Sequence, residues 1–240
     1  MRTILITLAV LLPVVTVAQT KPAPATKPPV RTPVASASAT DPLAIIHTTA
    51  GDMPCRLFEK QAPIGVANFI GLSNGSKDWV NPVSHARKHG VPLYDGTVFH
   101  RVIPDFMIQG GDPAGTGNGD PGYAFKNEVS PSLKFDHPGR LAYANSGPDT
   151  NGSQFFITEV ALTGRQAALL DGHYTIFGQC DAASVELVKK IARMTRDPSN
   201  DRPFHPVKIT HIEIKRGAAA ATPPAVRTTT KPAAGVKKPQ

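Results

Sequence analysis

Arg101 and Gln109 flank a short stretch that holds Phe106 and Met107 and runs on into Gly110-Gly111-Asp112. The run Phe99-His100-Arg101-Val102-Ile103 alternates apolar and polar residues, as a half-buried strand does. Pro104-Asp105 interrupts it, and a second apolar stretch, residues 106–108, follows. One guanidinium, one amide and two soft apolar side chains are therefore expected together on paired strands. That set suits a groove that grips an apolar ring and touches the amide beside it. It supplies no nucleophile, no metal ligand set and no phosphate cradle.

Other patterns carry less chemistry. Gly117-Asn118-Gly119-Asp120-Pro121-Gly122 has the G-x-G-x-x-G spacing, but it neither opens a helix nor sits in a βαβ unit, so no dinucleotide cofactor is expected. His85 and His89 are four apart, yet they lie in a polar loop with Gly90 and Pro92 behind and no third ligand. They read as solvated, and no metal is expected. Asn74-Gly75-Ser76 and Asn151-Gly152-Ser153 match the glycosylation acceptor, and the second reads better as a turn.

The elements that must position these residues are mostly short strands. Residues 43–49 and 54–58 read as a hairpin about Gly51-Asp52. Residues 62–72 read as a helix with Pro63 at its start, where the missing N–H costs little. Residues 73–94 read as a long loop, and 98–102, 106–108, 140–144, 154–158 and 175–180 as strands. A second helix is expected over 184–194, with Asp181 as its N-cap, and a last strand over 207–215 with a bulge near His211. About eight strands and two helices without βαβ alternation predict a mainly β fold. The expected form is a closed eight-stranded antiparallel barrel capped by two helices.

The ends of the chain differ from the middle. Residues 1–18 carry one basic residue, then an apolar run, then small residues, and read as a secretory signal peptide. Residues 19–41 and 217–240 are rich in Pro, Ala, Thr and Lys and are expected to be a disordered linker and tail. Of the net charge of +8, these three segments hold all but +1, so residues 42–216 form a nearly neutral domain. The basic balance thus predicts no nucleic-acid groove, only weak attraction of the tails to anionic surfaces. The chain is expected to be a monomer, exported to the periplasm or beyond. Export favours one disulfide between Cys55 and Cys180 over two buried thiols, with a chain-entropy gain of about 4–5 kcal/mol at most.

The segment from Phe99 to Asp112 resembles the active-site segment of the cyclophilins, the peptidyl-prolyl cis–trans isomerases. A second segment, Leu141-Ala142-Tyr143-Ala144-Asn145-Ser146-Gly147-Pro148-Asp149-Thr150-Asn151-Gly152-Ser153-Gln154-Phe155-Phe156-Ile157, resembles another part of that family. Leu170-Asp171-Gly172-His173-Tyr174-Thr175-Ile176-Phe177-Gly178 resembles a third, and together they span nearly the whole domain. The resemblance implies a catalytic role for Arg101 and a proline-ring pocket made by Phe106, Met107, Phe156 and Leu170. It implies that Gln109 hydrogen-bonds the substrate backbone, that Ala144 and Asn145 form the edge that pairs with the peptide, and that Gln154 lines the groove. Without it, Arg101 would read as a surface ion pair, the apolar residues as core, and Gln154 and Asn145 as turn or cap residues. Leu169 and Tyr174 stand where the family often has Trp and His. Leu169 is expected to thin the aromatic wall and weaken cyclosporin binding, and Tyr174 to replace the His.

The implied chemistry is physically sound. Rotation about an X-Pro amide destroys its resonance, at a barrier of roughly 18–20 kcal/mol. In the twisted transition state the prolyl nitrogen becomes pyramidal and gains a lone pair. A donor aimed at that nitrogen stabilises the twisted form more than either planar form. A guanidinium, always protonated and rigidly forked, is such a donor. The expected function is isomerisation of X-Pro bonds in exported polypeptides without a cofactor. The rival is a proline-peptide-binding module with little turnover.

Overall fold

A computed structural model describes residues 41–216 of the 240. The signal peptide, the tail and all of the linker but Asp41, as read from the sequence, lie outside the described residues; Asp41 is buried and its carbonyl accepts from Arg56, so it belongs to the domain. Alternating apolar positions fold the domain around one eight-stranded antiparallel sheet. Its strands run β1 (Leu43–Thr48), β2 (Gly51–Leu57), β5 (Arg101–Ile103), β6 (Met107–Gly110), β7 (Arg140–Tyr143), β8 (Phe155–Thr158), β9 (Ile176–Cys180) and β10 (Ile209–Lys215). Their order is β10-β1-β2-β9-β7-β8-β6-β5. The continuous ladder ends at β5 and β10. The segments leading into these two end strands meet through the isolated bridge Val98↔Lys208, with Phe99 N–H on Val207 O at 3.0 Å and Ile209 N–H on Thr97 O at 2.8 Å.

Three helices accompany the sheet, one more than the periodicity predicts. α1 (Pro63–Asn74) begins at Pro63 and ends at Gly75 in the left-handed region, φ 76°. It buries Val66, Phe69, Ile70 and Leu72 against the inner face of the sheet. α3 (Ala182–Ala192) starts two residues earlier than expected. Its N-cap is Asp181, whose carboxylate accepts from Ser184 N–H at 2.8 Å. The unexpected α2 (Gly164–Leu170) has no buried residue, so it leaves no apolar period to read. The expected loop 73–94 contains a two-stranded ribbon, β3 (Trp79–Val80) with β4 (Arg87–Lys88). His89 sits just after that ribbon and pairs with Asp78 at 2.7 Å. The bulge falls one residue from His211: Thr48 faces Ile209 and Thr210 is the extra residue. Asn151 is fully buried and pairs with Phe125 in an isolated antiparallel bridge, its side chain donating to Asn127 Oδ1, so it is a bridge residue and not the turn residue expected.

The sheet has two apolar faces. Val102, Ile108, Leu141 and Ile157 belong to the main core with α1. The alternate residues Met107, Ala142 and Phe156 join a second cluster with Phe58, Leu133, Phe135, Leu162 and Ile176. Cys55 and Cys180 face each other across β2 and β9 and form the disulfide, 125 residues apart.

Candidate functional site

Register alone builds the centre of the site. Arg101 on β5 lies opposite Gln109 on β6, and Gln109 lies opposite Phe156 on β8. Directly opposed residues of an antiparallel pair share a face. Guanidinium, amide and ring therefore stand in one row on the side of the sheet away from the main core. Met107 and Ile103 are the next pair along that face. Phe106 lies one residue before β6, in the turn, rather than on the strand the sequence reading gives it.

Arg101, Phe106, Met107, Gln109 and Phe156 line a concave groove of about 420 Å³ with Ala144, Asn145, Leu170 and Tyr174. Phe156 forms its floor between Phe135, stacked at 5.6 Å, and Tyr174, edge-on at 5.8 Å. Ala144 is tied to the next segment by its N–H on Gln154 O at 2.9 Å. Asn145 donates to His173 O at 3.3 Å. Gln154 lies outside this groove and lines a second, more polar depression with Asn145, Gly119 and Tyr123. Leu169 does not line the groove at all. It is 59% exposed on α2, whereas its neighbour Leu170 lines the groove, which corrects its expected place as a groove wall.

A hydrogen-bond relay orients the polar row. Arg101 Nη1 donates to Gln109 Oε1 at 3.4 Å, and Gln109 Nε2 donates to Gln154 Oε1 at 2.9 Å. Gln154 Nε2 donates in turn to Gly117 O and Gly119 O, both at 2.9 Å. Those carbonyls are fixed because the buried Asp112 carboxylate accepts from the N–H groups of Ala114, Thr116, Gly117 and Gly119. Burial alone would raise the Asp112 carboxyl, but these donors outweigh it and hold it below the usual carboxylate range. Gly119 is required here, since an added Cβ would fall 1.9 Å from the Asp112 Oδ1.

The sequence reading missed one side of the site. His100, Thr116, Gly117, Asn200 and Arg202 also line the groove. Burial pushes the His100 ring down in pKa, so it stays neutral beside Arg101. Asp201 stands 3.8 Å from Arg101 Nε and holds Arg196 at 3.1 Å with its other oxygen. Its carbonyl accepts from Val102 N–H at 2.9 Å, which seats this loop against β5. Residues 195–206 have no apolar period, so only the fold brings them to the groove.

The model for cyclophilin-type peptidyl-prolyl cis–trans isomerases matches residues 43–214, almost all of the described domain. This chain belongs to that family. Peptidyl-prolyl cis-trans isomerase A of Mycobacterium tuberculosis is 50% identical over 183 residues, 76% of this chain and 94% of the relative. Peptidyl-prolyl cis-trans isomerase B of Streptomyces anulatus is 47% identical over 173 residues, 72% of this chain and 95% of the relative. A crystal structure of a Cryptosporidium parvum cyclophilin matches with a TM-score of 0.60 at 34% identity, covering 74% of this chain and 98% of that one. The same cyclophilin in the presence of the dipeptide Ala-Pro matches with a TM-score of 0.59 at 33% identity, covering 73% and 99%. The cyclophilin groove of this chain therefore belongs to an X-Pro isomerase.

Proposed function

We propose that this cyclophilin isomerises X-Pro bonds in polypeptides exported with it, using Arg101 as the donor to the twisting prolyl nitrogen. The row Arg101–Gln109–Phe156 carries the reading, because it puts a fixed cation, a polar anchor and an aromatic floor on one face of three adjacent strands. In this reading Phe106, Met107, Phe156 and Leu170 hold the proline ring. Gln109 and the Ala144–Asn145 edge hold the flanking backbone, and the residue before proline is left free to turn. The relative crystallised in the presence of Ala-Pro supports a proline-containing peptide as substrate. Arg101 is held by Gln109 and Asp201 before substrate arrives, so little reorganisation is needed in the transition state.

Export rests on the sequence of residues 1–18 and is consistent with a cystine buried in the core. In an oxidising compartment, slow prolyl isomerisation would limit folding of other exported chains, and this enzyme would relieve it. The deciding experiment is a protease-coupled assay on a short X-Pro peptide with Arg101→Ala. Loss of one preorganised donor should lower kcat/KM roughly 10²-fold. Wild-type turnover by that variant would instead favour a groove that binds proline peptides and does little chemistry.

A further inference from the structure

Glu159 is a buried carboxylate, 1% exposed, at the end of β8, and the isomerisation chemistry does not use it. Both of its polar ends are spent on one turn. Its carboxylate accepts from Asp105 N–H at 2.8 Å, and its own N–H donates to Phe106 O at 2.9 Å. Arg193, at the C-terminal end of α3, closes the arrangement. One guanidinium nitrogen donates to the other Glu159 carboxylate oxygen, and a second donates to Asp105 Oδ1 at 2.8 Å. The ends of two distant elements, β8 and α3, therefore converge on the residue just before Phe106.

That turn needs holding. Asp105 has φ +58°, in the left-handed region that a side chain with Cβ disfavours. Its side chain is 78% exposed, so packing does not fix it. Phe106 follows immediately and is the groove residue that lies in the turn rather than on a strand. A small rotation at Asp105 would swing the Phe106 ring away from Met107 and Phe156.

We propose that Glu159 and Arg193 are positioning residues of this isomerase: they lock the Asp105 turn and thereby set the proline-ring wall at Phe106. This rests on the assignment of Phe106 to the ring pocket. The clamp touches no substrate; it acts by keeping Phe106 in the bound geometry before the peptide arrives, which lowers the ordering cost of binding. Its loss should therefore appear mainly in KM.

The test compares Arg193→Met, Glu159→Gln and Phe106→Ala in the full-length, disulfide-intact protein. The clamp variants should show kcat/KM lowered about three- to tenfold, chiefly through KM. Adding Asp105→Gly to Arg193→Met should restore at least half of the loss, because glycine adopts the left-handed turn without a clamp. If Phe106→Ala is impaired while both clamp variants stay within twofold of wild type, the clamp is overturned. Failure of the glycine rescue overturns the claim that turn conformation is what the clamp controls. An unimpaired Phe106→Ala removes the underlying pocket assignment, and the clamp with it. Arg193 is largely exposed, so Arg193→Met decides the matter if Glu159→Gln does not fold.

Discussion

Arg101 works from a half-exposed position, and this sets what each neighbour is worth. Its side chain is 41% exposed and that of Asp201 27%, so their contact at 3.8 Å is screened by water. Asp201→Asn keeps the turn, because Asn tolerates φ near the +59° observed there. It removes the counter-charge that helps aim the guanidinium. We expect kcat/KM to fall about two- to fivefold, in line with a pair worth under about 1 kcal/mol. The coupled assay at low and high salt checks this, and an unchanged rate at low salt would remove Asp201 from the site. Arg101, Gln109 and Phe156 were legible in the sequence because strand alternation and a long motif both point to them. Asp201, Arg202, Glu159 and Arg193 were not. Glu159 meets Asp105 across 54 residues and Arg193 meets it across 88, and no local pattern encodes such pairs.

Among the elements, the glycine-rich loop after β6 matters most to the relay. Asp112 converts it from a free connection into a scaffold whose carbonyls seat Gln154. Asp112→Asn keeps the size but turns one acceptor oxygen into a donor among four converging N–H groups. We expect a loss of roughly 2–3 kcal/mol in denaturant unfolding at neutral pH. The pH dependence follows from the direction of the Asp112 shift. A folded carboxyl held below its unfolded range near 3.8 adds stability that is complete above that range. That stability is lost as the pH falls through the lower folded value. Acid unfolding of Asp112→Asn should lack this component, and a parallel acid profile for the two proteins would refute it. The loop read from sequence as a decoy dinucleotide motif is thus an element of the groove's support. Its spacing of glycines was visible, but the buried carboxylate that gives them their purpose was not. The helix α2 was invisible for a related reason: it is seven residues long and only Ala167 and Leu170 pack, partly buried, against the second cluster, so no full apolar period marks it and the exposure of Leu169 could not be foreseen.

At the scale of the whole molecule, the disulfide joins β2 to β9 across 125 residues. Closing so long a loop restricts the unfolded chain, and replacing both Cys55 and Cys180 by Ala should cost about 2–5 kcal/mol in chemical denaturation. If the chain is exported as proposed, protein recovered from the cell envelope or medium should show no free thiol when unfolded without reductant. Its N-terminus should begin close after Ala18; two free thiols or an intact Met1 would contradict the export reading. By itself the sequence determined the mainly β class, the family motifs and the central row of the groove, and it favoured a bond between the two cysteines. The first three are carried by alternation along single strands and by long contiguous motifs, and the cysteine pairing by the presence of two cysteines in a chain read as exported, with two buried thiols as the alternative that the structure removed. Only the tertiary structure decided that the segments before the two end strands meet at Val98 and Lys208. It alone brought residues 200–202 to the groove, turned Leu169 outward and gathered Glu159, Arg193 and Asp105 behind Phe106. Each of these depends on how separate elements cross in space, and a one-dimensional pattern of apolar residues records which face a residue takes, not which distant element arrives opposite it.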